Sequence, residues 1–234
     1  MPTVLITGSN RGLGLEFARQ YAAAEWQVIA SCRKPVDATA LNSLAADNRS
    51  VSVEAMDVSD HVSVDLLGTK LSGQAIDVII NNAGIASNNF SAQMLGGFDF
   101  DEWTAMLWTN TLGPMKVSEV FLDNLRRGNH KKIAAVSSTV GSLSQMNDYP
   151  VYPYATSKAA LNKAMRLMAQ QLKAEGITVV CLCPGHAKTD MGLMAEGASV
   201  EVRDAIKGMR QQINDLSMNT TGTFKRYNGE TIAW

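Results

Sequence analysis

A phenol and an ammonium stand four positions apart in Tyr154-Ala155-Thr156-Ser157-Lys158. The residues that follow, 159–175, are rich in Ala, Leu, Met, Gln and Lys, all good helix formers. On a helix, positions i and i+4 share a face, so Lys158 is expected beneath the Tyr154 ring. A free tyrosine titrates near about 10, and a neighbouring cation lowers that value. The result is a proton donor or acceptor usable near neutral pH. Any helix can carry such a pair by chance, so its meaning rests on what else the chain supplies.

The first partner is a glycine turn, Thr7-Gly8-Ser9-Asn10-Arg11-Gly12-Leu13-Gly14, set between a β-rich run (Thr3–Thr7) and a helical one (residues 15–24). Glycines there let the backbone turn tightly and approach a pyrophosphate, while the helix N-terminus favours negative charge. The spacing T-G-x-x-x-G-x-G differs from G-x-G-x-x-G, but the strand–turn–helix context is that of a dinucleotide site. A second strand, residues 26–32, ends without the acid that would bind a ribose 2′-hydroxyl. Arg33 and Lys34 follow it instead, and Arg11 lies in the glycine turn. Cations there suit a 2′-phosphate, so NADP(H) is expected and NAD(H) is less favoured.

Other candidates stand at strand ends. Asp57-Val58 follows a third strand (Val51–Ala55), with Asp57 placed to accept a hydrogen bond from an adenine amino group. A fourth strand, residues 76–80, runs into Asn81-Asn82-Ala83-Gly84, small and amide residues suited to a ligand crevice. A fifth (Lys132–Val136) ends in Ser137-Ser138, and a sixth (residues 177–182) in Cys183-Pro184-Gly185-His186-Ala187-Lys188-Thr189. Residues 101–127 read as one long helix interrupted by Pro114. Proline deprives the Asn110 carbonyl of its helical donor, leaving it free to hold a water, or else marks a simple kink or helix end.

Strand and helix alternate throughout the 234 residues, which predicts an α/β fold: a doubly wound, mostly parallel, Rossmann-like sheet in a single domain over residues 1–234. Hydrophobic residues make up 46% and charged residues 18%, enough for a globular core. A net charge of −1 gives no sign of a nucleic-acid or membrane-surface partner. The N-terminus enters a strand directly, without the features of a signal peptide, so a cytoplasmic location is expected. Three cysteines do not make a disulfide framework, and the three histidines show no ligand spacing, so no metal is expected. Cys181 and Cys183 alternate in an apolar run and are expected on one face of a strand.

Taken together, these residues resemble the short-chain dehydrogenase/reductase family over nearly the whole chain. The resemblance rests on Thr7-Gly8-x-x-x-Gly12-x-Gly14, Asp57, Asn81-Asn82-Ala83-Gly84, Asn110, Ser138, Tyr154-x-x-x-Lys158 and Pro184-Gly185-x-x-x-Thr189. Cys32-Arg33-Lys34-Pro35 and the ending from Gly222-Thr223-Phe224 to Trp234 are similar to the C-factor-like carbonyl reductase branch. The resemblance implies a carbonyl reductase or alcohol dehydrogenase that transfers hydride to or from NADP(H). Thr7, Gly8, Ser9, Arg11, Gly12, Leu13 and Gly14 would hold the pyrophosphate side, Arg11 and Arg33 the 2′-phosphate. Asp57 and Val58 would flank adenine, and Asn82, Ala83 and Gly84 the ribose. Lys158 would bind the nicotinamide ribose and lower the Tyr154 pKa, Tyr154 would move the proton, and Ser138 would hold the substrate oxygen. Asn110 would hold a water linking Lys158 to solvent, while Pro184, Gly185 and Thr189 would position the nicotinamide.

Ser138 and Tyr154 stand 16 positions apart, somewhat more than the family's usual spacing. The extra residues, within 144–153, are expected to form a rim loop over the substrate pocket. Ser142 is an alternative to Ser138, whereas Ser137 alternates to the opposite side. Pocket walls are expected from residues 88–93, 143–153 and 186–194. Met146, Met191 and Met194 would make an adaptable apolar lining suited to medium-sized apolar carbonyls within a small-molecule carbonyl or alcohol class, or pack a lid against the core. Leu161, Met165 and Met168 would serve a homodimer or homotetramer contact, or the core. Two other readings are a non-catalytic NAD(P)-binding sensor or signalling protein on the same fold, and a sugar-nucleotide epimerase-like enzyme. The retained Tyr154 and Lys158 speak against the first, and the short stretch after Thr189 against the second.

Overall fold

In the computed structural model, residues 1–145, 151–192 and 197–234 are described. Seven strands form one sheet: β1 (Thr3–Thr7), β2 (Gln27–Cys32), β3 (Val51–Ala55), β4 (Val78–Asn81), β5 (Lys132–Val136), β6 (Thr178–Cys183) and β7 (Thr223–Arg226). Their order is β3-β2-β1-β4-β5-β6-β7, and every neighbouring pair is parallel. The connection reverses direction between β1 and β4, which lie side by side with Ile6 opposite Ile80. A parallel sheet opens a crevice at such a point, at the carboxyl ends of its strands.

Parallel strands covered on both faces carry apolar residues at every position. The central strands do so, and their parity sorts two cores. Leu5, Ile79, Ile133, Ala135, Val179, Cys181 and Cys183 face one, with Val117, Phe121, Leu161 and Met165. Val4, Ile6, Val78, Ile80, Ala134, Val136, Val180 and Leu182 face the other, with Phe17, Ala18 and Met209. Cys181 and Cys183 thus share a face, as their alternation implies. Leu161 and Met165 belong to the core, so of the two roles open to them the surface contact falls away. Each such fully buried side chain stabilises the fold by about 1.5–3 kcal/mol.

The helices are α1 (Gly12–Ala23), α2 (Thr39–Asp47), α3 (His61–Lys70), α4 (Phe100–Leu107), α5 (Gly113–Val120), α6 (Leu122–Arg127), α7 (Tyr152–Leu172) and α8 (Val202–Asn214). The long helix expected over residues 101–127 is therefore broken, with a π-helical segment, Trp108–Leu112, between α4 and α5. There the Gly113 N–H donates to the Trp108 carbonyl, five residues back. That extra residue places Pro114 in the first turn of α5, where a missing N–H is harmless. Gly113 packs tightly in this turn, because a Cβ there would lie 2.8 Å from the Val58 carbonyl oxygen. Among the described residues, no helix is long and apolar enough to cross a membrane.

Candidate active site

At the crevice, the end of β1 is stitched to the end of β4. The Thr7 hydroxyl accepts from the Asn82 N–H at 3.0 Å and the Ala83 N–H at 2.9 Å. Asn82 Nδ2 returns to the carbonyls of Thr7 at 2.9 Å and Gly8 at 3.2 Å. The glycine turn is closed by sterics: a Cβ on Gly8 would meet the Ala83 Cα at 2.9 Å, and one on Gly14 the Gly8 carbonyl oxygen at 2.2 Å. The buried Ser9 hydroxyl donates to the Ile6 carbonyl at 2.9 Å, and Leu13 packs on the second core. Ser9 and Leu13 thus shape the turn with side chains turned inward. The side chain of Arg11, the N-cap residue of α1, makes no capping hydrogen bond, and the first N–H groups of the helix are suited to an anion.

The turn faces the segment after β6. A Cβ on Gly12 would come within 3.6 Å of the Thr189 methyl, and Arg11 is ion-paired with Asp190 across the crevice. The Thr189 hydroxyl accepts from the Gly192 N–H at 3.0 Å. Gly185 has φ +72, and a Cβ there would press on Tyr227 at 3.0 Å. Pro184 is half-buried between β6 and this turn. On the other side of the glycine turn, Arg33 and Lys34 are exposed after β2. Asp57 Oδ1 is engaged by the Ser59 N–H at 2.9 Å and the Ser59 hydroxyl at 2.7 Å. The Val58 side chain lies in the core, so only its backbone can border the crevice.

Ser138, Tyr154 and Lys158 come together at the carboxyl end of β5. The Ser138 hydroxyl hydrogen-bonds the Tyr154 phenol. Ser137 is turned away, donating to Asn162 Oδ1 at 2.7 Å. Ser142 is committed elsewhere, donating to the Ala233 carbonyl at 2.7 Å. Trp103 Nε1 donates to Thr156 at 3.0 Å, which ties α4 to the first turn of α7 beside Tyr154. Lys158 is buried, its Nζ donating to the Val136 carbonyl at 2.9 Å and lying 5.7 Å from the Tyr154 ring centroid.

The electrostatics depart from expectation. Burial pushes the Tyr154 phenol well above its ordinary value of 10, and Cys183 adds to the rise, while the Ser138 hydrogen bond opposes it. Lys158 is itself drawn down to about 8, chiefly by burial, against the favourable influence of Cys181 and Cys183. Desolvation thus outweighs whatever the ammonium beneath the ring contributes, and the net displacement of Tyr154 is upward rather than the lowering expected. Tyr154 is a protonated acid throughout the neutral range.

Asn110 also has a more specific part than the sequence suggests. Its Oδ1 accepts from the Ile85 N–H at 2.8 Å, and its Nδ2 donates to the Ile85 carbonyl at 2.9 Å and to Ser157 Oγ at 3.0 Å. The side chain thus clamps the segment after β4 to α7. Gly84 sits within this clamp, where a Cβ would lie 3.2 Å from Asn110 Oδ1 and 3.6 Å from Lys158 Nζ.

Several contributors have no motif of their own. Asp190 bears on Arg11, and Cys183 on Tyr154; only the parity of β6 hints at the latter. Ser157 links Asn110 to α7. Of the expected pocket walls, Gln93 is buried with Oε1 lacking a partner among the described residues, and His186 Nε2 is held by the Gly192 carbonyl at 2.7 Å. Met191 is half-buried. Met146, Met194 and half of the expected rim loop (146–150) lie outside the described residues, and the last two residues of that expected loop, Tyr152 and Pro153, instead begin α7. Among the described residues, no cluster of His, Cys, Asp and Glu suits a metal ion.

The short chain dehydrogenase family profile matches residues 2–197. C-signal of Myxococcus xanthus is 38% identical over 159 residues, 68% of this chain and 93% of that protein. An NADPH-bound carbonyl reductase from chicken fatty liver superposes with a TM-score of 0.92 at 31% identity, covering 100% of this chain and 99% of that one. The carbonyl reductase Sniffer of D. melanogaster gives 0.90 at 30% identity, with 100% of both chains covered.

Proposed function

The chain belongs to the short-chain dehydrogenase family and is an oxidoreductase; from that premise we propose that it interconverts a carbonyl and an alcohol with NADP(H), using Tyr154 as the general acid and base. The observation that carries the proposal is the meeting of Ser138, Tyr154 and Lys158 beside the glycine turn. The cradle fits a nicotinamide dinucleotide, since Gly8 and Gly14 leave no room for side chains and the N-cap side chain of α1 makes no capping hydrogen bond. The NADPH-bound chicken liver relative supports that cofactor. Thr7, Gly8, Ser9, Arg11, Gly12, Leu13 and Gly14 hold its pyrophosphate side, and Arg11, Arg33 and Lys34 its 2′-phosphate. Asp57 and the Val58 backbone border adenine, and Asn82, Ala83 and Gly84 the ribose. Tyr154 and Lys158 bind the nicotinamide ribose, and Pro184, Gly185 and Thr189 the ring.

Bound NADPH supplies the hydride. The chain supplies what the developing alkoxide needs: a donor aimed at the oxygen and a proton. Ser138 hydrogen-bonds the substrate oxygen. Tyr154, kept protonated by its burial, gives up the proton. The Lys158 ammonium stabilises the tyrosinate left behind. Asn110 fixes the segment after β4 against α7, so that Gly84 stays close to Lys158. Medium-sized apolar aldehydes and ketones are the proposed substrates. The test is NADPH consumption with a panel of aldehydes, ketones and quinones. Turnover that is lost in Tyr154→Phe with cofactor affinity kept supports the mechanism, whereas an equally active variant refutes it.

A second reading is a signalling protein on the same fold, supported by the likeness to C-signal. Tight cofactor binding without turnover of any carbonyl or alcohol would favour it. The retained Ser138, Tyr154 and Lys158 favour the enzyme.

A further inference from the structure

The opposite end of the sheet holds a second cavity, of about 250 Å³, between α1 and α8. Its floor is the start of β4 and β5, where Val78 and Lys132 pair in register. One wall is aromatic: Tyr21 meets Trp26 edge-on with ring centroids 4.9 Å apart, and Trp26 lies 5.4 Å from the His130 ring. The other wall is a stripe of α8 bearing Lys207 and Arg210, three positions apart and so on one face.

Arg210 is held but not spent. Its guanidinium lies 4.5 Å from the Tyr21 ring centroid, and it hydrogen-bonds the Tyr21 hydroxyl. Its contact with Gln20 Oε1 is long, at 3.5 Å, and its buried Nε has no hydrogen-bond partner among the described residues. The Nε is shielded from solvent, so an incoming oxygen would meet the terminal guanidinium nitrogens, which the long Gln20 contact engages only weakly.

The remaining charges at this end leave the cavity net positive. Lys132 Nζ donates to the Ile213 carbonyl at 2.9 Å and the Asn214 carbonyl at 2.7 Å, offsetting the negative end of α8. Asp77 is occupied by the backbone N–H groups of Thr3, Asn129 and His130, at 2.8, 2.7 and 3.1 Å. Asp215 accepts from Gln211 Nε2 at 2.9 and 2.8 Å. Glu25 (φ +62) and Lys131 (φ +51), the only non-glycine residues with positive φ among those described, directly precede Trp26 and Lys132. Two unusual backbone conformations thus aim two lining side chains.

We propose that this cavity is a second ligand site, which takes a small planar carboxylate on Arg210 and Lys207 with its flat body against Trp26 and His130. A guanidinium fork matches a carboxylate, and aromatic faces match a planar body. The volume is too small for a dinucleotide. Along β5 the cavity is six residues from Ser138, on the order of 20 Å at strand rise, so the two sites are separate.

The probe is benzoate, with neutral benzamide as its control. The chain has four tryptophans, and the Trp26 indole N–H signal is assigned with Trp26→Phe. In NMR titrations with and without saturating NADP+, benzoate is expected to shift that signal saturably and with equal affinity in both, and benzamide to leave it in place. Lys207→Gln, at an exposed position, is expected to weaken benzoate roughly tenfold, and Arg210→Gln at least as much. Equal binding of benzamide, unchanged affinity in Lys207→Gln, or loss of the titration when NADP+ is present would each overturn the proposal.

Discussion

The Lys158 ammonium donates to the Val136 carbonyl at 2.9 Å, tying the helix that carries Tyr154 to the strand that leads to Ser138. Burial draws this lysine from 10.5 to about 8. The folded protein then binds fewer protons than the unfolded chain between about pH 8 and 10.5, so the lysine's penalty is greatest below that window. It amounts to at most about 3 kcal/mol, from which the bond to Val136 subtracts a part. Stability should therefore rise with pH from 8 to 10.5 on this account, and Lys158→Met should flatten the rise. The variant is expected to be at least as stable as the parent at pH 7, yet inactive. Urea unfolding across a pH series measures both, and a loss of several kcal/mol at pH 7 would contradict the desolvation account.

The same titration should appear in catalysis. Tyr154 stays protonated over the neutral range, so it contributes no ionisation to carbonyl reduction there. Lys158 loses its charge as pH rises through about 8. The expected profile of kcat/KM for reduction is flat at low pH and falls above about 8 with a single ionisation. Lys158→Arg keeps its charge throughout, so any activity it retains should lack that limb. A limb at the same pH in this variant would assign the ionisation elsewhere.

What was legible in the sequence follows from local constraint. Gly8 and Gly14 were readable because a turn between strand and helix excludes a Cβ whatever the rest of the fold does. Ser138 was separable from Ser137 by strand parity, and the structure turns Ser137 to Asn162. Pro114 was placed correctly, but its helix was not. The π segment before it depends on how closely Gly113 meets Val58, a contact between distant parts of the chain. The Tyr154 pKa was misjudged for a similar reason: the spacing places a charge nearby, but only the packed surroundings set the desolvation that outweighs it. Asp190 was invisible as the partner of Arg11, 179 residues away.

That pair makes cofactor choice testable. Arg33 and Lys34 are exposed beside the glycine turn, and Arg33→Glu should replace attraction for a 2′-phosphate with repulsion. The expected outcome is a KM for NADPH raised roughly tenfold or more, with that for NADH little changed. Asp190 competes for Arg11 with any bound phosphate. Because exposed ion pairs are weak, about 0.5 kcal/mol, Asp190→Asn should tighten NADPH only two- to threefold. Steady-state kinetics with both cofactors checks each change. Equal effects on NADPH and NADH from Arg33→Glu would remove it from the 2′-phosphate site.

The glycine turn separates two kinds of constraint. A Cβ on Gly14 would lie 2.2 Å from the Gly8 carbonyl oxygen and 2.6 Å from Asn82 Nδ2. The first is backbone, and the second already binds Thr7 and Gly8, so neither moves without breaking the stitch between β1 and β4. Gly12 has φ +55 but only ordinary contact, 3.6 Å to Thr189. Its substitution meets left-handed strain of about 1–2 kcal/mol and no collision. Gly14→Ala should therefore be the worse change, destabilising by roughly 3 kcal/mol and abolishing NADPH binding. Gly12→Ala should fold with a smaller loss and retain weakened binding. Thermal unfolding and NADPH titration of the two variants test this order, and a reversal would mean that the turn is limited by backbone conformation rather than by contact with the end of β4.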